Sequence, residues 1–98
     1  MNSLRERVLE LALQYDEARQ ARIDTKRVLR AFRAEQGFCD GDEENSSCFR
    51  SGKPVVQWCE LCQESHPLWA AYRSAARSRA NTHRRLLTAI RALRDGIA

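Results

Sequence analysis

Four cysteines, Cys39, Cys48, Cys59 and Cys62, fall within 24 residues of a 98-residue chain, in the pattern C-x8-C-x10-C-x2-C. Thiolates at such spacing can exchange with disulfides, attach haem, pair as structural disulfides or bind a soft metal. "WCELC", residues 58 to 62, has the Trp-Cys-x-x-Cys order of a thiol oxidoreductase. That chemistry needs a βαβ frame, which the hydropathy pattern lacks. Haem attachment needs a histidine directly after the second cysteine, where Gln63 stands. Structural disulfides need an oxidising compartment. The opening "MNSLRERVLELAL" breaks its apolar residues with charges at helical spacing, unlike the continuous apolar region of a secretory leader. A cytoplasmic protein is therefore expected, and a structural zinc fits best. Four thiolates close a tetrahedral site, and a Cys-x-x-Cys turn presents two sulfurs to one ion. One Zn²⁺ per chain is expected on Cys39, Cys48, Cys59 and Cys62, with His66 as the alternative to one cysteine.

These ligands need elements that bring them together. Ser3 with Glu6 forms a capping box. Leu4, Val8, Leu11, Tyr15 and Ala18, then Thr25, Leu29 and Phe32, follow helical steps with no internal proline or glycine. A helix is predicted over 3–36, ended by Gly37. A second is predicted over 66–95, starting near Pro67, because proline is favoured in the first helical turn. Its expected inner stripe is Trp69, Tyr72, Ala76, His83, Leu87 and Ile90, widened by Leu68, Ala75, Leu86, Leu93 and Ile97. His83 then reads as a packed residue rather than a ligand. All four cysteines lie in the connector, 37–65, where "CFRSGKPVVQWC" suggests a short β-hairpin turning at Ser51-Gly52. Phe38, Phe49, Trp58 and Trp69 are the expected apolar cluster around the metal. The predicted fold is all-α: one domain built as an antiparallel two-helix hairpin, coiled-coil-like, with Leu11 near the Leu86 to Leu93 region and Phe32 near Trp69.

Charge is uneven along the chain. Residues 1–36 carry eight basic and six acidic residues, residues 37–66 two and six, and residues 67–98 seven and one. No apolar run approaches the eighteen residues of a membrane span. No glycine-rich phosphate loop or nucleophilic triad is present, and Glu60 and Glu64 beside a closed thiolate site have nothing to activate. A non-enzymatic role is expected. The apolar residues exceed what one seam uses, so Leu9, Leu13, Leu86, Leu87, Ile90 and Leu93 are the candidate interface of a homodimer, a four-helix bundle. The protein is then an interaction module whose partner is another protein. The alternative is nucleic acid, met by Arg73, Arg77, Arg84 and Arg91 on the outer face of helix two and by Lys26, Arg27, Arg30 and Arg33 on helix one. Those helix-two arginines could instead pair with Glu6, Glu10, Asp16 and Glu17 across the hairpin. A structural or assembly component is the third reading.

The four cysteines at a helix–helix joint resemble the layout of the DksA/TraR family, helical proteins with a four-cysteine zinc finger that bind RNA polymerase. That family carries two C-x-x-C pairs, whereas here only Cys59 and Cys62 make one. "WCELCQESHPLWAAYRSA" is more similar to small zinc-binding proteins of phages and prophages, over residues 38 to 78. The resemblance bears on origin and implies a phage-encoded protein in a bacterial host cell; it brings no activity with it. For an interaction module of that origin the expected partner is a host or phage protein, bound as a regulator or inhibitor.

Overall fold

The computed structural model describes residues 3–37, 39 and 46–97. Three α-helices are formed: α1, Leu4–Gln36, α2, Ser47–Arg50, and α3, Glu60–Ile97, with a 3₁₀ turn at Val55–Gln57 before α3. The chain divides into two compact units, one of Met1–Ile23 with Arg73–Ala98, the other of Asp24–Tyr72. No described helix is long and apolar enough to cross a membrane.

Helix α1 follows its sequence signals. Ser3 Oγ accepts the Glu6 N–H at 3.1 Å, satisfying one of the orphan donors of the first turn. At the other end Gly37 adopts φ 75° and its N–H reaches the Arg33 carbonyl at 2.8 Å. A side chain at that φ would be strained, so glycine sets the stop.

In the first unit the two long helices run antiparallel. Leu4 Cδ1 lies 3.6 Å from where a Gly96 Cβ would stand, and the Tyr15 and His83 rings are 5.2 Å apart. Leu11 is the core residue, 1% exposed, and it shares a groove with Arg84, Ala89 and Ala92, as its expected place near Leu86 to Leu93 requires. In the second unit Leu29 is buried, and Phe32 and Trp69 are both half-buried.

The structure corrects three expectations. Helix α3 starts at Glu60, six residues before the predicted start, and Pro67 lies inside it. Proline has no N–H for the Gln63 carbonyl, but Pro67 sits on the exposed face, where water can serve that group. The segment read as a β-hairpin holds no strand: residues 47–50 make one helical turn and 55–57 a 3₁₀ turn. Local capping by Ser46 wins there, because an isolated two-stranded hairpin is only marginally stable while the capped turn satisfies its backbone locally. Finally, the inward stripe of α3 in the first unit is Ala75, Arg79, Thr82, Leu86, Ala89 and Leu93, while His83, Leu87 and Ile90 are exposed. The seam is rotated by about one residue because two polar side chains belong to it. Thr82, 8% exposed, satisfies its hydroxyl within its own helix by donating to the Ser78 carbonyl at 2.7 Å. Arg79 is half-buried, and its aliphatic stem can pack while the guanidinium reaches water.

Of the candidate dimer residues, Leu86 and Leu93 therefore face the internal seam. Leu9, Leu13, Leu87 and Ile90 remain 63%, 61%, 38% and 40% exposed. The exposed ion pairs Arg7–Glu10 and Arg19–Asp16 lie along α1. Exposed pairs of this kind contribute little, so packing carries the stability.

Candidate metal centre

All four cysteines lie in the second unit, each placed by a different local device. Cys39 follows the Gly37 stop of α1. Cys48 sits in α2, whose cap is Ser46. That serine is 5% exposed and its Oγ accepts the Phe49 N–H at 3.2 Å. Ser51 closes the turn by donating its hydroxyl to the Cys48 carbonyl at 2.6 Å, and Gly52 at φ 72° redirects the chain. Cys59 is the residue before α3, and its Sγ accepts the Cys62 N–H at 3.5 Å. Cys59 thus occupies the N-cap position, with Cys62 in the first turn. The N-terminal dipole of α3 favours negative charge on both sulfurs.

The four sulfurs lie within 4.8 Å of one another. A tetrahedral ion with bonds of about 2.3 Å sets sulfurs about 3.8 Å apart, so a small contraction closes the set. A multi-iron cluster would need the sulfur pairs spread by the width of the cluster, so one ion fits and a cluster does not. Among the described residues the ligand group holds the four cysteines and neither His66, Glu60 nor Glu64. The predicted ligand set is therefore brought together, and His66 is outside it.

The thiols are electrostatically unequal. A hydrogen bond from the Cys48 backbone N–H, helped by the neighbouring thiols, holds Cys39 down at about 7 against the opposing pull of burial. Burial pushes Cys62 up to about 12, and it donates its proton to Cys39 Sγ at 3.3 Å. Cys48 accepts the Cys59 N–H at 3.3 Å, which favours its thiolate, but burial and the Cys59 and Cys39 thiols outweigh this and raise it. One sulfur is thus predisposed to be a thiolate, and N–H donors already point at the sulfurs that an ion would share.

No known protein family, curated protein or solved structure matches the chain. The site is therefore read from its own geometry.

Beside the sulfurs, four rings form a closed circuit. Phe49 contacts Trp58 and Trp69 with centroids 6.3 and 5.7 Å apart. His66 contacts Trp58 edge-on at 5.4 Å and stacks on Trp69 at 5.8 Å. The expected aromatic cluster is present in Phe49, Trp58 and Trp69, and Phe38 lies outside the described residues. The space between these rings, Arg33 and Cys62 is about 30 Å³, room for roughly one water. That leaves no room for a ligand between the rings, which pack on one another while Phe49 stays 40% exposed. Sequence reasoning missed the residue that ties the turn to the helix: Gln63 Nε2 donates to the Val56 and Trp58 carbonyls at 3.0 and 2.8 Å. Its only sequence signal is a place next to Cys62, which does not distinguish a clamp from a solvated glutamine.

Proposed function

We propose that this protein is a zinc-stabilised helical interaction module that acts by binding another macromolecule and performs no catalysis. The observation that carries the reading is the convergence of four sulfurs from three separate segments on one point, within 4.8 Å. Four thiolates select a soft ion, and zinc is the common choice for such a set. They also leave no open coordination position, so the ion would have no place for a reacting water. The helices that flank the site then present surface rather than chemistry. Self-association belongs to the same reading, since Leu9, Leu13, Leu87 and Ile90 are left exposed in the first unit.

The test is metal analysis with native mass spectrometry on the full reduced chain, followed by cobalt(II) substitution. One zinc per chain, replaced by cobalt with the visible bands of a tetrahedral thiolate site, is the expected result. A metal-free chain two or four hydrogens lighter than the reduced mass would replace the zinc reading with disulfides.

A further inference from the structure

The four thiols differ in access and in mutual distance, and both differences bear on oxidation. Cys59 is exposed, Cys39 and Cys48 are half-buried, and Cys62 is 7% exposed. An oxidant arriving from solvent therefore meets Cys59 first. The contacts among the cysteines sort them into two pairs. Cys62 Sγ lies 3.3 Å from Cys39 Sγ. That is inside the edge of about 3.8 Å that a tetrahedral thiolate site sets, and about 1.2 Å longer than a disulfide bond. Cys48 Sγ accepts the Cys59 N–H at 3.3 Å, which makes Cys48 the sulfur at hand for Cys59. The contact within the Cys-x-x-Cys turn is of another kind: Cys59 Sγ accepts the Cys62 N–H at 3.5 Å, sulfur to backbone and not sulfur to sulfur. All four sulfurs lie within 4.8 Å, so neither pair is far from bonding distance.

Disulfides on these pairs would be nested, across separations of 23 and 11 residues. The outer one joins the residues that follow α1 to the first turn of α3, as the ion does. The inner one ties α2 to the residue before α3. The segments that depend on the metal are thus the segments that the two bonds would hold.

We propose that the centre is an oxidation switch: a hydroperoxide converts the thiols to the disulfides Cys48–Cys59 and Cys39–Cys62 and frees the ion, while the joint stays closed. This rests on the metal-centre reading and names the regulation of that site. In the first step the Cys59 sulfur attacks one oxygen of hydrogen peroxide. The O–O bond breaks, and Cys59 carries S–OH while hydroxide leaves. Cys48 sulfur then attacks Cys59 sulfur, the S–S bond forms, and the second oxygen leaves as hydroxide. Both hydroxides take protons from solvent, so two sulfurs lose two electrons and one peroxide becomes two waters. Cys39 and Cys62 alone then remain to the ion, and a second peroxide oxidises them in the same way. Zinc has no redox chemistry and leaves as Zn²⁺. A neighbouring thiol for each attacked sulfur stops the oxidation at a reversible stage.

The test starts from the full reduced chain, with its zinc content measured by native mass spectrometry. Hydrogen peroxide is added up to about a tenfold excess, and free zinc is read with 4-(2-pyridylazo)resorcinol. Two equivalents should release the whole of the zinc and remove four hydrogens per chain, and dithiothreitol with added zinc should restore both. Glu44, Arg50 and Glu60 stand between the cysteines, so digestion after arginine and glutamate puts each on its own peptide. The linked peptides should be those of Cys48 with Cys59, leading at one equivalent, and of Cys39 with Cys62. Ellipticity at 222 nm should fall less on oxidation than when the reduced chain is treated with EDTA. The proposal is overturned by zinc that stays bound in excess peroxide, by Cys59–Cys62 as the main link, or by links between chains. Oxygen gained on sulfur in place of hydrogen lost, or an ellipticity loss equal to that in EDTA, also overturns it. A zinc-loaded chain indifferent to peroxide refutes the switch and leaves the metal centre standing. A reduced chain without zinc refutes the metal centre, and the pairing then stands or falls by the same digest on that chain.

Discussion

Cys62→Ser separates metal from packing, because serine keeps the helix and nearly the size of a side chain that is only 7% exposed. The variant loses one sulfur of four. Zinc contributes about 10–16 kcal/mol to the folding of small zinc-finger peptides, which sets the ceiling for the effect. The part of the chain that depends on it can be bounded from the helices. The α-helical residues number 33, 4 and 38. Those with little support besides the site are the four of α2 and the seven of α3 that precede Pro67, 11 of 75. Far-ultraviolet ellipticity at 222 nm should therefore fall by about 15%, and the first unit should stay helical. The assay is circular dichroism and thermal melting of both proteins, with zinc and with EDTA. The wild type in EDTA should match the variant, and the variant should not respond to either addition. A variant that holds one zinc and melts with the wild type would refute the ligand assignment. A loss of most of the helical signal would refute the division of labour between the two units.

Metal uptake should release protons: Cys48 and Cys62 are raised and Cys62 lies at about 12, so both are thiols at pH 7 and must ionise to bind. Cys39, lowered to about 7, favours its thiolate, a contribution present above the ordinary 9.0 and lost as pH falls through 7. Acidification therefore weakens binding, and calorimetric heats that do not change between phosphate and Tris buffers would contradict this. Leu11→Ala, at 1% exposure, should cost about 2.7–5.0 kcal/mol in urea unfolding, whereas Leu9→Ala, at 63%, should stay within about 0.5. Equal effects would place the seam elsewhere. Thr82→Val should leave stability unchanged or raise the melting temperature, because the lost hydroxyl bonds only its own helix; a large drop would reveal a cross-helix partner. Leu87→Glu/Ile90→Glu should shift sedimentation from dimer to monomer with helicity retained, and an unchanged sedimentation coefficient would remove these residues from any self-interface.

Helix α1 was legible because cap, apolar series and glycine stop agree with one another over its whole length. The convergence of the cysteines was legible because four of them in one connector leave few chemistries. The start of α3 was not, since Pro67 is a strong start signal and Cys59 is not an ordinary capping residue. The seam of α3 was missed for a related reason. Apolar residues Leu87 and Ile90 attract the eye, while Thr82 and Arg79 reach the interior only because one bonds its own helix and the other has a long stem. The hairpin in the connector failed because two short arms on their own are marginal, and a capped helical turn and a 3₁₀ turn satisfy the same backbone locally.

The spacing of the thiols also bears on how the chain closes. The Tyr15–His83 contact shuts a loop of 68 residues, and linking Cys39 to Cys62 removes 23 of them, leaving 45. Loop entropy grows only with the logarithm of length, so this shortcut lowers the closure cost of that contact by about 0.4 kcal/mol. The ion would thus order its own neighbourhood strongly and speed the meeting of the far helix ends hardly at all. Tyr15 and His83 should find each other at nearly the same rate with the metal or without it.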